Sequence, residues 1–182
     1  MVRKDNIYNR FMGLDKNKVV LEKHNDKWAE MFRAEEKELR KIFGDLALSI
    51  EHVGSTSIPG IMAKPLVDIQ VGLRQLSDFE KVRAKFEKEP YSVKPVPSPD
   101  EQLVRKGPEE NRIFLIHITS VDSDRFKNTL LFRDYMRAHP DKARAYEALK
   151  KELAVKYADN RPMYTASKND FIQAILKEAQ QN

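Results

Sequence analysis

Cysteine is absent from the chain, which excludes disulfides, thiolate metal sites and a cysteine nucleophile within it. No apolar run approaches the roughly 20 residues that cross a bilayer, and the N-terminus lacks the apolar segment of a secretory signal. A cytoplasmic location with no membrane partner is the resulting expectation. No stripe of Lys and Arg interleaved with aromatics runs along the chain, so a nucleic acid is not the expected partner. There is no internal repeat or low-complexity tract, and no feature specifies an oligomeric state. What is present is a chain of 182 residues with 41% apolar and 34% charged residues, the composition of a globular domain with a buried core. Its 33 basic and 28 acidic residues leave a net charge of +5. That charge is spread over mixed-sign helices and favours anionic ligands only weakly.

Residues 1–20 carry little periodicity and read as a flexible arm, leaving 21–182 as one domain. Asn25 or Asp26 can cap a helix to Phe43, in which Trp28, Phe32, Leu39, Ile42 and Phe43 recur near helical spacing and Gly44 supplies the stop. Leu46 to Val53 reads as a strand with Leu46, Leu48, Ile50 and His52 on one face. From Lys64 to Val71 the alternation sets Val67, Ile69 and Val71 against Lys64, Leu66, Asp68 and Gln70. A helix is expected over 76–88. The proline-rich stretch 92–99 reads as a loop able to cover a site, followed by a short strand over 103–106. In the strand 113–119, Phe114, Ile116 and Ile118 oppose Ile113, Leu115, His117 and Thr119. Three helices follow, the first after Asp122, the second from Pro140 and the last from about Ser167. The order implies an α+β domain with a mixed sheet flanked by helices and a helical C-terminus.

Chemistry concentrates between the first two strands. Gly54-Ser55 ends one strand, and Asp68 lies in the next. A Gly-Ser join can bring backbone N–H groups close to a phosphate, because glycine has no Cβ and a following helical turn aims unsatisfied donors outward. Asp68 can then hold a divalent cation. Thr56 and Ser57 read as caps, with a phosphate contact open to Thr56. Lys64 either neutralises a phosphate or pairs with Asp68. Gln70 shares the Asp68 face but is a neutral, weaker ligand than a second acid. His117 is either a semi-buried structural histidine or, with Asp68 and His52, a transition-metal ligand. Glu51 is a substitute carboxylate if its face meets the cleft. Arg133 and Arg137, one helical turn apart, can clamp an anion or tie their helix to the sheet with Asp134. Tyr164 and Lys168 share a helical face and serve either nucleotide contact or packing.

The stretch His52-Val53-Gly54-Ser55-Thr56-Ser57-Ile58-Pro59-Gly60, with Lys64-Pro65-Leu66-Val67-Asp68-Ile69, resembles the GrpB-like family of bacterial proteins. So do Phe132-Arg133-Asp134-Tyr135-Met136-Arg137-Ala138-His139-Pro140 and the segment from Tyr164 to Phe171. The Gly-Ser and the Asp-bearing strand are also similar to the signature of the nucleotidyltransferase superfamily. The resemblance implies a nucleotidyltransferase-like fold, a nucleoside triphosphate as ligand, Mg²⁺ as cofactor, and transfer of a nucleotidyl group to a small acceptor. In those terms Asp68 is the catalytic metal ligand, with Gln70 and His117 as further ligands. Gly54, Ser55, Thr56, Lys64, Arg133 and Arg137 are the phosphate contacts. Family members also occur fused to dephospho-coenzyme-A kinase, which implies the alternative of a catalytically silent nucleotide-binding or folding and regulatory module.

Overall fold

A computed structural model describes residues 18–88, 90–95, 98–108 and 112–181; positions 1–17 of the expected arm lie outside them. Helix α1 (Lys27–Phe43) forms where Trp28, Met31, Glu35, Leu39 and Phe43 bury as one stripe, the spacing of an amphipathic helix. Asn25 provides the cap, its Oδ1 accepting from the Lys27 N–H at 3.0 Å. Gly44 ends the helix at φ 56° and donates back to the Arg40 carbonyl, as a glycine at that position commonly does.

Five strands follow: β1 (Ala47–Val53), β2 (Val67–Leu73), β3 (Tyr91–Lys94), β4 (Gln102–Lys106) and β5 (Phe114–Ser120), in the spatial order β1-β2-β5-β4-β3. β2 and β5 pair in parallel, while the other pairs are antiparallel. The sheet is therefore mixed. Pairing fixes which side chains share a face, since partners across a ladder point the same way. His52, Ile69, Ile116 and Val104 form one such row. That face packs under α1 and the segment 76–86 in the main core, with Leu39, Val67, Leu73, Phe79, Phe86 and Phe114.

Two expected elements change. Leu48 is half exposed, because an irregularity in pairing between Ala47 and Ser49 breaks the alternation there and turns it out. The helix expected over 76–88 divides into a 3-10 turn (Leu76–Lys81) and a short helix α2 (Arg83–Phe86), with Val82 between them at φ −122°, ψ −4°. The break allows Phe79 and Phe86 both to reach the core, their ring centroids 5.7 Å apart.

The opposite face is covered by four helices, α3 (Asp124–Ala138), α4 (Pro140–Lys156), α5 (Arg161–Ala166) and α6 (Asn169–Ala179), where three were expected. Ser123 caps α3 by accepting from the Phe126 N–H, and Asn160 caps α5 by accepting from that of Met163. Gly72 lets α3 approach the sheet: a Cβ there would stand 2.5 Å from Val121 Cγ1 and 2.6 Å from Phe126 Cε2. A second cluster, with Ile58, Ile61, Met136, Tyr146 and Ile175, joins the loop after β1 to α3, α4 and α6. Val19, at the end of the expected arm, is buried against Leu153 and Tyr164. Its N–H reaches the Ala158 carbonyl at 2.8 Å.

Candidate functional site

Between the second face of the sheet and α3–α6 lies a cleft of about 760 Å³, within the range of small-molecule sites. Register builds its floor. Val53, Asp68, Leu115 and Arg105 lie side by side across β1, β2, β5 and β4, and Glu51, Gln70, His117 and Leu103 form the adjacent row. All of these except Glu51 line the cleft. Glu51 thus shares the Asp68 face, whereas His52 points to the other side of the sheet. There it stacks on Phe32 with ring centroids 5.1 Å apart, and burial lowers its pKa to about 4. It cannot join a metal site with Asp68.

Gly54 has φ 69°, ψ −175°, a backbone conformation reserved for glycine. A Cβ at this position would stand 2.4 Å from Asp68 Oδ2 and 3.0 Å from Asp68 Cβ. The turn is therefore glycine for two reasons, its dihedral and the carboxylate against it. Ser55 and Thr56 follow in a 3-10 turn and line the cleft. Thr56 Oγ1 lies 3.0 Å from His52 Nε2 and donates to the Leu66 carbonyl at 3.5 Å, while the Ser57 hydroxyl donates to the Gly54 carbonyl at 2.7 Å. These bonds hold the loop, and Thr56 is almost fully buried.

His117 joins the carboxylates. Its Nδ1 lies 2.5 Å from Glu101 Oε1 and its Nε2 lies 3.9 Å from Asp68 Oδ1. Glu101 is buried and also accepts from Arg125 at 2.7 Å. Burial works against an imidazolium here, but the hydrogen bonds and charges of Asp68 and Glu101 overcome it and raise the His117 pKa to about 9. Glu101 moves in the complementary direction. Burial raises it, and His117 and Arg125 more than offset that, so its pKa is lowered. Glu101 and Arg125 were absent from the expected site; no sequence pattern links a glutamate after a proline-rich stretch to a histidine on β5.

The upper wall is cationic. Lys64 from the loop before β2, Arg112 just before β5, Arg161 on α5 and Lys168 between α5 and α6 all line the cleft. Lys64 Nζ lies 5.1 Å from the centroid of the Tyr164 ring, and Lys168 Nζ lies 4.7 Å from the same centroid. The buried phenol thus sits in reach of two ammonium groups, a favourable cation–π geometry. Among the described residues none of these four cations is ion-paired within 4.0 Å, and Arg112 Nε and Arg161 Nη1 are buried without a hydrogen-bond partner. Burial, and then repulsion from Lys168 and Arg161, lowers the Lys64 pKa to about 7. Lys168 and Arg161 are lowered too, burial again leading.

Two expected phosphate contacts lie elsewhere. Arg133 on α3 donates to Glu51 Oε2 at 2.8 Å, to the His52 carbonyl at 3.1 Å and to both oxygens of Asp134. Arg137 donates to the Ser57 carbonyl at 3.0 Å. Neither lines the cleft. Arg133 ties α3 to β1 and Arg137 bonds the following loop through its Nε, contacts of the kind the structural alternative describes. Of the stretch expected to cover the site, the described residues 92–95, 98 and 99 do not line the cleft. Tyr91 to Lys94 forms the far edge strand, separated from β2 by β4 and β5, because Tyr91 and Val93 pack into the main core. Positions 96 and 97 lie outside the described residues.

The donor set fits Mg²⁺ poorly. Magnesium favours oxygen ligands and near-octahedral geometry, yet Gln70 is buried and its Nε2 donates to Thr119 Oγ1 at 2.8 Å. Glu51 is bonded to Arg133, and Glu101 to His117 and Arg125. Asp68 has a charged imidazole as its nearest ionisable partner. No group of three His, Cys, Asp or Glu side chains able to hold a metal occurs among the described residues. The set expected from the sequence, Asp68 with Gln70 and His117, offers one carboxylate, a neutral amide and an imidazole bonded to Glu101.

Comparison with known proteins assigns the lineage. A profile for the family described as "GrpB protein" matches residues 18–178. The chain is 35% identical over 172 residues to the glutamate-rich protein GrpB of Alkalihalophilus pseudofirmus, covering 92% of this chain and 99% of that protein. It is 33% identical to the UPF0157 protein YqkA of Bacillus subtilis, over 90% of this chain but 48% of that longer one. The crystal structure of conserved protein GrpB from Enterococcus faecalis superposes with a TM-score of 0.81 at 32% identity, covering 89% of this chain and 98% of that one. From Lys18 through α6, the strands that carry the cleft floor and the helices that carry its cationic wall fall within one matched span, and the chain belongs to the GrpB family.

Proposed function

We propose that the cleft binds a nucleotide or a related multiply phosphorylated small molecule. The observation that carries this reading is the convergence of Lys64, Arg112, Arg161 and Lys168 on one cleft with no carboxylate ion-paired to them among the described residues. Four partly buried basic groups repel one another and are stabilised by a polyanion, and guanidinium groups match phosphate oxygens in a two-pronged geometry. A cleft of about 760 Å³ suits a small ligand, whereas nucleic-acid recognition calls for an extended basic track. Binding to the folded state alone raises its stability by mass action. At a ligand concentration near 100 times Kd the gain is about 2.7 kcal/mol, or roughly 5–10 °C in Tm for a domain of this size. Thermal unfolding with nucleoside triphosphates, pyrophosphate and sugar phosphates tests this. A rise that disappears in Arg161→Gln/Lys168→Gln supports the reading, and no rise with any phosphate compound overturns it.

Retention of the ligand without group transfer is the better supported form. Nucleotidyl transfer to a small acceptor draws on paired carboxylates and bridging metals, and Asp68 stands without a second free acid. A module role also accords with the length of the relatives, since the family unit makes up nearly all of one protein and about half of another. Incubation with a triphosphate labelled at the α-phosphate is expected to leave the label on the nucleotide; label appearing on an acceptor would reverse this preference.

A further inference from the structure

We infer that the phosphate ligand enters the cleft as a free anion and is held directly by Lys64, Arg112, Arg161 and Lys168, with no divalent cation between phosphate and protein. The inference rests on the phosphate-binding reading above and adds the ionic form of the ligand.

A bridging cation needs anionic protein oxygens on one side and phosphate on the other. The protein side offers little. Glu101 is bonded to His117 and Arg125, and Glu51 to Arg133, which leaves Asp68, 3.9 Å from His117 Nε2, as the one carboxylate on the cleft floor without a short side-chain bond among the described residues. Gln70, the remaining oxygen donor on the Asp68 face, is neutral, and its Nε2 donates to Thr119 Oγ1. A divalent ion placed at Asp68 would have to displace the His117 interaction and would add charge to a space already bordered by four cations.

The cations, by contrast, are arranged as a ligand shell. They come from four separate segments: the loop before β2, the segment leading into β5, α5, and the α5–α6 junction. Two of them carry buried N–H groups without acceptors, Arg112 Nε and Arg161 Nη1, and a buried donor left unpaired is costly. A phosphate in the cleft supplies these guanidinium groups with an anionic partner that the protein does not give them among the described residues. In a metal-bridged site the ion neutralises much of the phosphate charge, whereas here fixed ammonium and guanidinium groups take that task. Chelation of a polyphosphate by Mg²⁺ therefore competes with the protein for the same oxygens.

The test is calorimetric titration of the wild-type full chain with ATP, and separately with inorganic pyrophosphate, once in EDTA and once with Mg²⁺ in excess over the probe. Binding in EDTA, with affinity falling several-fold when Mg²⁺ is added, supports the inference. Arg161→Gln or Lys168→Gln is expected to weaken EDTA-phase binding by roughly tenfold or more, the scale of one charge-assisted hydrogen bond. Arg161→Lys, which keeps the charge, should weaken it less. Binding that requires Mg²⁺ or Mn²⁺ overturns the inference and leaves the phosphate reading standing. No binding in either arm overturns both. The wild-type comparison needs no variant, so it decides the matter even if a substitution unfolds the chain.

Discussion

Lys64 lies in the cleft with Lys168, Arg161 and Arg112 as neighbouring positive charges and Asp68 as the opposing negative one. Burial and this repulsion hold its pKa at about 7. An anion beside it favours the charged form, so ligand binding above pH 7 draws a proton onto the amine. At pH 8 the binding heat of a phosphate compound should vary with the ionisation enthalpy of the buffer, with a slope approaching one proton taken up. Affinity should fall as pH rises from 7. Lys64→Met should abolish most of the buffer dependence; an unchanged slope would show that the proton goes elsewhere. Gly54 and Asp68 stand differently at this scale. The spacing of Gly-Ser and Asp in the sequence points to a phosphate turn beside a carboxylate, and the turn does press against Asp68. Gln70 also shares its face as the alternation implies, but its hydrogen bond to Thr119 depends on the β2–β5 pairing and has no local signature.

At the scale of elements, α3 is fastened to β1 by Arg133, whose guanidinium is nearly buried among Glu51, Asp134 and the His52 carbonyl. Removing a charged hydrogen-bonding group from such a setting costs about 2 kcal/mol. Chemical denaturation of Arg133→Met should show a loss of that order, while phosphate affinity of the folded variant stays within about twofold of wild type, a fraction of 1.4 kcal/mol. A large affinity loss with unchanged stability would restore Arg133 to the role of an anion clamp. The alternations of β2 and β5 are legible because one face is wholly apolar and the period of two is strict. Helix α5 is not: six residues are too few for a periodic signal, and its cap Asn160 lies in a polar stretch. The division at Val82 likewise follows from two phenylalanines seeking one core, a demand that the helical spacing of 76–88 conceals.

Over the whole molecule, three buried ionisable groups give stability a pH dependence with opposing signs. Lys64 and Lys150, both lowered to about 7 chiefly by burial, bind fewer protons folded than unfolded between pH 7 and their ordinary range near 10.5. They destabilise the fold at low pH, and that penalty is relieved as pH rises above 7. His117, raised to about 9, contributes stability that is complete below its ordinary value of 6.5 and is lost as pH rises through 9. Two lysines outweigh one histidine, so denaturant midpoints should rise from pH 7 toward 9. The rise should steepen in His117→Asn and flatten in Lys64→Met; a fall across the same window in the wild type would contradict the lysine environments described above. The amino-acid sequence by itself determined the class of the fold, the two-faced strands and the Gly54–Asp68 pairing, because each rests on periodicity or on spacing within a single loop. Only the tertiary structure decided which charges meet. Arg112, Arg161, Lys64 and Lys168 converge through strand register and helix packing, whereas Arg133 and Arg137, one turn apart on one helix, make contacts to β1 and its loop and do not line the cleft. Charge converges by the path of the folded chain, which brings distant segments together under packing forces that no local pattern encodes.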